Sequence, residues 1–152
     1  MIISFSKDIH KIKKRKNSVI KLANLSFNSN YQVIAHSDGD IILHAISDAI
    51  LSGINQFDIG YYFKDNDSKN KNLNSLEILN KALELLNKTN YEINNIDLTI
   101  ICNHIFIMDK RLEILDNLKS LLSIQNINIK GRRFELKNKT IECYCILSLK
   151  EK

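Results

Sequence analysis

The chain has 152 residues, 44% hydrophobic and 26% charged, with 22 Lys and Arg against 17 Asp and Glu. That length and balance describe one domain, residues 1–152, large enough to bury a core. No apolar run reaches the roughly 18 residues of a membrane helix, and Met1-Ile2-Ile3-Ser4-Phe5 lacks the basic and long apolar regions of a signal peptide, so a cytoplasmic chain with no membrane partner is expected.

Residues 1–10 read as a strand, and Ser18 to Ser26 as a second, with a charged turn between them. Gln32-Val33-Ile34-Ala35 is a short strand ending at His36. Asp40 to Ile54 has helical spacing, with Leu43, Ile46, Ile50 and Ile54 on one side and Asp40, His44 and Asp48 on the other. Asp40 opens this helix and suits a cap. Asp58 to Asn72 is polar and reads as a surface loop. Ser75 to Asn87 is a second amphipathic helix, Ile96 to Cys102 a buried strand, and Asp109 to Ser123 a third helix. Ile127-Asn128-Ile129 and Ile141 to Leu149 close the chain as strands. The alternation predicts an α+β (α/β sandwich) fold with helices packed on one face of a mixed sheet.

The three cysteines, Cys102, Cys143 and Cys145, form no Cys-x-x-Cys pair and read as buried free thiols of a reducing compartment. The net charge of +5 is partly clustered, at Lys11, Lys13, Lys14, Arg15 and Lys16 and at Lys130, Arg132 and Arg133. Such clusters suit nucleic acid, solvent or a phosphate-bearing small substrate. Ile, Asn and Lys supply about two residues in five, and their A/T-rich codons weaken any partner read from the lysines. No aromatic residues interleave the first cluster and no recognition motif is present, so no nucleic-acid partner is expected.

Chemistry concentrates in two segments. Asp8 and His10 are two apart on a strand and share a face. His44 lies in the first turns of a helix, just after His36-Ser37-Asp38-Gly39-Asp40. Two histidines and a carboxylate make a three-ligand zinc site with an open fourth position. Asp40 or Asp48 could orient His44 through its other ring nitrogen; Asp40 is nearer a cap, which leaves Asp48 for that role. His104 matches no metal position.

Asp8-Ile9-His10, the run from Ala35 to Leu51 and Asp58-Ile59-Gly60-Tyr61-Tyr62-Phe63-Lys64-Asp65-Asn66-Asp67 together resemble the 2-C-methyl-D-erythritol 2,4-cyclodiphosphate synthase family, lyases of the non-mevalonate isoprenoid pathway. The resemblance is good over about the first two-thirds of the chain. It implies a homotrimer of ferredoxin-like subunits with active sites between neighbouring chains. It implies a small-molecule cytidine diphosphate substrate, cyclised with release of CMP. Asp8, His10 and His44 would hold Zn²⁺, and His36 would stabilise the transition state beside Ser37 at the substrate phosphates. Asp58, Ile59, Gly60, Phe63, Lys64, Asp65, Asn66 and Asp67 would line the erythritol phosphate side.

The C-terminal third departs from the family pattern. A Thr-Thr-Glu motif is replaced by Gly131-Arg132-Arg133-Phe134-Glu135. Glu135 matches the glutamate that ligates a second divalent ion, Mg²⁺ or Mn²⁺. Arg132 and Arg133 supply charge where the family has hydroxyls. The cytidine loop reads Asn103-His104-Ile105-Phe106. These changes keep a second reading in view: a zinc protein of the same fold, impaired in catalysis, that binds a phosphorylated or nucleotide ligand.

Overall fold

The computed structural model describes residues 1–64 and 66–152. In chain order the elements are β1 (Ile2–Leu22), β2 (Leu25–Ile34), α1 (Ile41–Gly53), α2 (Ile59–Tyr62), α3 (Ser75–Asn87), β3 (Tyr91–Cys102), α4 (Arg111–Leu122), β4 (Ile127–Arg132) and β5 (Thr140–Glu151). The five strands form one mixed sheet in the order β2-β1-β5-β3-β4. Only the β3–β4 pair is parallel. This is the α+β fold expected, with helices on the sheet.

Alternation along the strands decides which face is covered. Ile141, Cys143, Cys145, Leu147 and Leu149 of β5 are buried, as are Ile96, Leu98 and Ile100 of β3. They meet Ile42, Ile46 and Ile50 of α1 and Ile114 and Leu118 of α4 in one core. The opposite face presents Ile3, Phe5, Ile9 and Ile146, all exposed. The three cysteines are free and buried, as the sequence suggested. Burial pushes the Cys145 thiol up to about 12, which makes it a packing residue.

The first hairpin differs from expectation. The chain does not turn within Lys11–Lys16. β1 runs on through that stretch with a bulge between Lys14 and Ser18, where Asn17 has φ 53°. The reversal comes at Ala23-Asn24, between the paired residues Leu22 and Leu25, with φ values of 53° and 63°. Positive φ at both central residues suits a two-residue hairpin. The lysine run reads as a turn because charge is rare in a central strand. Here that stretch of β1 pairs only with β2, in a two-stranded ribbon whose outer positions are solvated. The described residues of the 58–72 segment lie largely at the surface, as expected, but they include α2 and a 3₁₀ turn at Ser68–Asn70.

Two features fix α1 over β1. The Ser4 and Ser6 hydroxyls donate to the Ala49 and Ala45 carbonyls, at 2.7 and 2.5 Å. At Gly53 a Cβ would stand 2.9 Å from Leu149 Cδ1, so the helix end sits as close to the sheet as glycine allows. This registration brings His44 down beside Asp8. β1 also changes neighbour at Lys11, pairing with β5 before it and β2 after it. Asp8 and His10 lie at that exchange, where a cleft opens.

Candidate metal centre

Asp8 and His10 point to the helix-covered side of β1, opposite Cys143 and Ile141. His44, on the first turn of α1, is 5% exposed. Its Nδ1 lies 3.0 Å from Asp8 Oδ2, and His10 Nε2 lies 3.2 Å from the same oxygen. The two rings meet edge to face at 5.3 Å. One ligand atom from each of the three residues falls within 4.8 Å of the others. His10 Nε2 is buried, and its 3.2 Å approach to Asp8 Oδ2 lacks the alignment of a hydrogen bond, a costly state for a ring nitrogen unless something binds there. Imidazole and carboxylate donors around such a point fit a divalent ion of the zinc type, with an open position left for substrate.

The electrostatics agree. Burial works against charge on Asp8, yet the His10 and His44 rings overcome it and hold the carboxyl far below the usual carboxylate range. Burial also disfavours charge on His44, and Asp8 outweighs it, so that imidazole is raised above its ordinary value.

The triad faces a cleft of about 320 Å³. His36, Ser37, Ile59, Gly60 and Phe63 line the same cleft. The Gly39 φ of 76° turns the 36–40 segment into α1, and a Cβ there would strike Val33 at 2.8 Å. Asp58 stands outside this cleft and caps α2, accepting from Tyr61 N–H at 3.1 Å. Lys64, Asn66 and Asp67 are exposed, and Asp67 accepts from Lys69 N–H at 3.0 Å. Asp65 lies outside the described residues.

Arg132, Arg133 and Glu135 do not join the triad within one chain. Cross-strand pairing places Ile9, Glu142, Ile101 and Arg132 in one row on the uncovered sheet face, opposite to Asp8 and His10. The Arg133 guanidinium lies 4.6 Å above the Phe106 ring. Both arginines line a separate cavity of about 360 Å³ with Phe106, Met108 and Gly131. Glu135 is exposed and belongs to no grouping of metal donors among the described residues.

Asp48 differs from expectation. Its Oδ1 accepts from Ile59 N–H at 2.8 Å, so it anchors the 58–60 segment rather than the His44 ring. Asp40 is a cap, and more: its buried carboxylate accepts from Leu43 N–H at 3.2 Å, Ala23 N–H at 3.0 Å and Asn24 N–H at 2.6 Å. His104 is a packing residue, stacked on Tyr31 at 4.5 Å with Nε2 donating to the Asn138 carbonyl at 3.2 Å. The partners of His44 Nε2 are Ser37, expected at the substrate phosphates, and Ser75, which carries no motif signal in the sequence. Ser75 Oγ is 2.9 Å away and Ser37 Oγ 3.1 Å away. Ser75 lies 31 residues from His44, and no spacing rule reaches that far.

The YgbB family model matches residues 1–150. The chain belongs to the YgbB family. A relative from Mycoplasmoides gallisepticum named 2-C-methyl-D-erythritol 2,4-cyclodiphosphate synthase is 42% identical over 140 residues, covering 92% of this chain and 90% of the relative. Another of that name, from Hydrogenobaculum sp., is 40% identical over 98% of this chain and 97% of its own length. A solved structure of IspF from Plasmodium falciparum in complex with CDP matches with a TM-score of 0.85 at 35% identity, over 99% of this chain and 96% of that one. This YgbB member is accordingly an enzyme, a phosphorus–oxygen lyase of the cyclodiphosphate synthase family. The family resemblance carried by the three segments is met.

Proposed function

We propose that this lyase cyclises 4-diphosphocytidyl-2-C-methyl-D-erythritol 2-phosphate to 2-C-methyl-D-erythritol 2,4-cyclodiphosphate, releasing CMP, with zinc held by Asp8, His10 and His44. The observation that carries the metal is the convergence of Asp8, His10 and His44 donors within 4.8 Å of one another in the 320 Å³ cleft, with the buried His10 Nε2 making no aligned hydrogen bond. The synthase names of relatives at 36–42% identity support the reaction. When bound there, zinc offsets phosphate charge and orients an oxygen.

In this reading the substrate's 2-phosphate oxygen attacks the β-phosphorus, the bond from that phosphorus to the CMP oxygen breaks, and CMP leaves. The attack is internal to the substrate, so the protein's work is to fold the two anionic groups together and offset their repulsion. Ser37 Oγ accepts from Gly39 N–H at 3.2 Å and faces His44 Nε2, which leaves its own proton to donate to a phosphate in the cleft. His36, exposed at the rim, adds a second donor. Ile59, Gly60 and Phe63 give the erythritol carbons an apolar wall, with Lys64, Asn66 and Asp67 beyond it.

The nucleotide falls to the other half of the site. The Phe106 and Arg133 cavity offers a stacking ring and a guanidinium for a cytidine diphosphate, and Arg132 adds charge. Glu135 would supply one carboxylate toward Mg²⁺ or Mn²⁺, which would offset diphosphate charge there. The two halves are apart in one chain. A homotrimer that sets one subunit's cleft against its neighbour's cavity joins them, and it also covers the exposed Ile3, Phe5, Ile9 and Ile146 face. The free buried cysteines suit a reducing, cytoplasm-like compartment.

The test is CMP release from the cytidine diphosphate substrate by purified protein with zinc and Mg²⁺. CMP and the cyclic diphosphate should form in equal amounts. Binding of CDP without CMP release would overturn the catalytic reading.

A further inference from the structure

Ser75 is fully buried at the start of α3. Its neighbourhood settles where its proton goes. Asp38 Oδ1 accepts from the Ser75 hydroxyl and from Asp40 N–H at 3.2 Å, and Oδ2 accepts from the Ser75 backbone N–H at 3.1 Å and lies 3.3 Å from Lys21 Nζ. A carboxylate so surrounded is ionised and accepts only. The Ser75 proton is therefore committed to Asp38. What Ser75 Oγ turns toward His44 Nε2, 2.9 Å away, is a lone pair.

A lone pair at Nε2 requires a proton on Nε2. That leaves Nδ1, the nitrogen aimed at Asp8, as the atom free to bind a metal ion. We infer that Ser75, its own proton held by Asp38, is the positioning residue that fixes the Nε2–H form of His44 and so presents Nδ1 to zinc. This rests on the zinc reading of the Asp8, His10 and His44 triad. Hydrogen-bonded partners of a ligating histidine fix its ring and raise its basicity as a ligand. Ser37 also lies near Nε2, but it is only half-buried and opens on the cleft. The same network ties the substrate loop to the metal. Asp38 N–H donates to the Leu73 carbonyl at 3.0 Å and Asn72 N–H to the His36 carbonyl at 2.9 Å.

Zinc affinity by chelator competition, together with ¹⁵N-edited NMR of the imidazoles in the zinc-loaded protein, tests this. Wild type should show a slowly exchanging His44 Nε2–H. Ser75→Ala should weaken zinc binding roughly ten- to a hundredfold, and Ser75→Thr should restore most of it. Asp38→Asn, whose amide can donate to Ser75 Oγ and free its proton, should weaken zinc as well. Ser37→Ala should leave zinc affinity near that of wild type. Equal zinc affinity in wild type and Ser75→Ala overturns the inference while the zinc reading stands. A proton found on Nδ1 in zinc-loaded wild type overturns it without any variant. Wild type that takes up no zinc removes the zinc reading and this inference together.

Discussion

Asp38 joins Ser75, Asp40 and Lys21 beside the site, and its charge is open to test. Burial raises its carboxyl, but the two Ser75 donors, Asp40 N–H and Lys21 outweigh this and hold it below the usual carboxylate range. A carboxylate with a lowered folded-state value contributes stability above its unfolded value of about 3.9 and loses it as pH falls through the folded value. Asp38→Asn should therefore cost the metal-free protein stability at pH 7, on the order of 1.5–3 kcal/mol for hydrogen bonds to a charged group. The gap should narrow at pH 3. Urea midpoints of both proteins at the two pH values check this, and an equal gap at both would show that Asp38's charge is unimportant. The triad itself was legible because each part is a short-range pattern: two residues apart on a strand, and one histidine in a helix's first turns. Ser75 and Lys21 were not legible, since their contacts with the 36–44 segment cross 31 and 17 residues of sequence.

The three long helices were read nearly to the residue, because a stripe of leucines and isoleucines at helical spacing meets one sheet face. Expected at 40–54, 75–87 and 109–123, they run Ile41–Gly53, Ser75–Asn87 and Arg111–Leu122. The first hairpin was misread for a physical reason. Ala-Asn is a poor signal for a turn with two positive φ values, and Ala23 at φ 53° costs roughly 1–2 kcal/mol. Asp40 repairs it from the start of α1 by accepting the Ala23 and Asn24 N–H groups. One side chain thus caps a helix and closes a turn 16 residues away. Asp40→Ala should remove both, stranding at least one buried donor. A loss of about 2 kcal/mol or more is expected, from a cap worth about 1 kcal/mol and an unsatisfied donor worth about 1–3. The drop in denaturation midpoint measures it. A loss under about 0.5 kcal/mol, the range of a plain surface substitution, would contradict the double role.

At the scale of the molecule, the sheet has one covered face and one that presents Ile3 at 68% and Phe5 at 57% exposure. The cleft with its metal ligands and the cavity with its arginines lie apart in the single chain. The proposed trimer would meet both. Light scattering at micromolar concentration should give about three times 17.6 kDa, and Phe5→Asp should lower that mass and the activity together. A monomer of full activity would refute sites shared between chains. The register that puts Arg132 on the uncovered face, away from Asp8 and His10, depends on five strands pairing in order, which no local motif encodes. The proposed lyase works through zinc held by Asp8, His10 and His44. Protein stripped of metal and titrated with zinc in the presence of Mg²⁺ tests it most directly, with CMP release and bound zinc measured on the same samples. The rate should rise in proportion to occupancy, level off at one zinc per chain, and be lost with the zinc in His44→Ala. Full CMP release from zinc-free protein would contradict it.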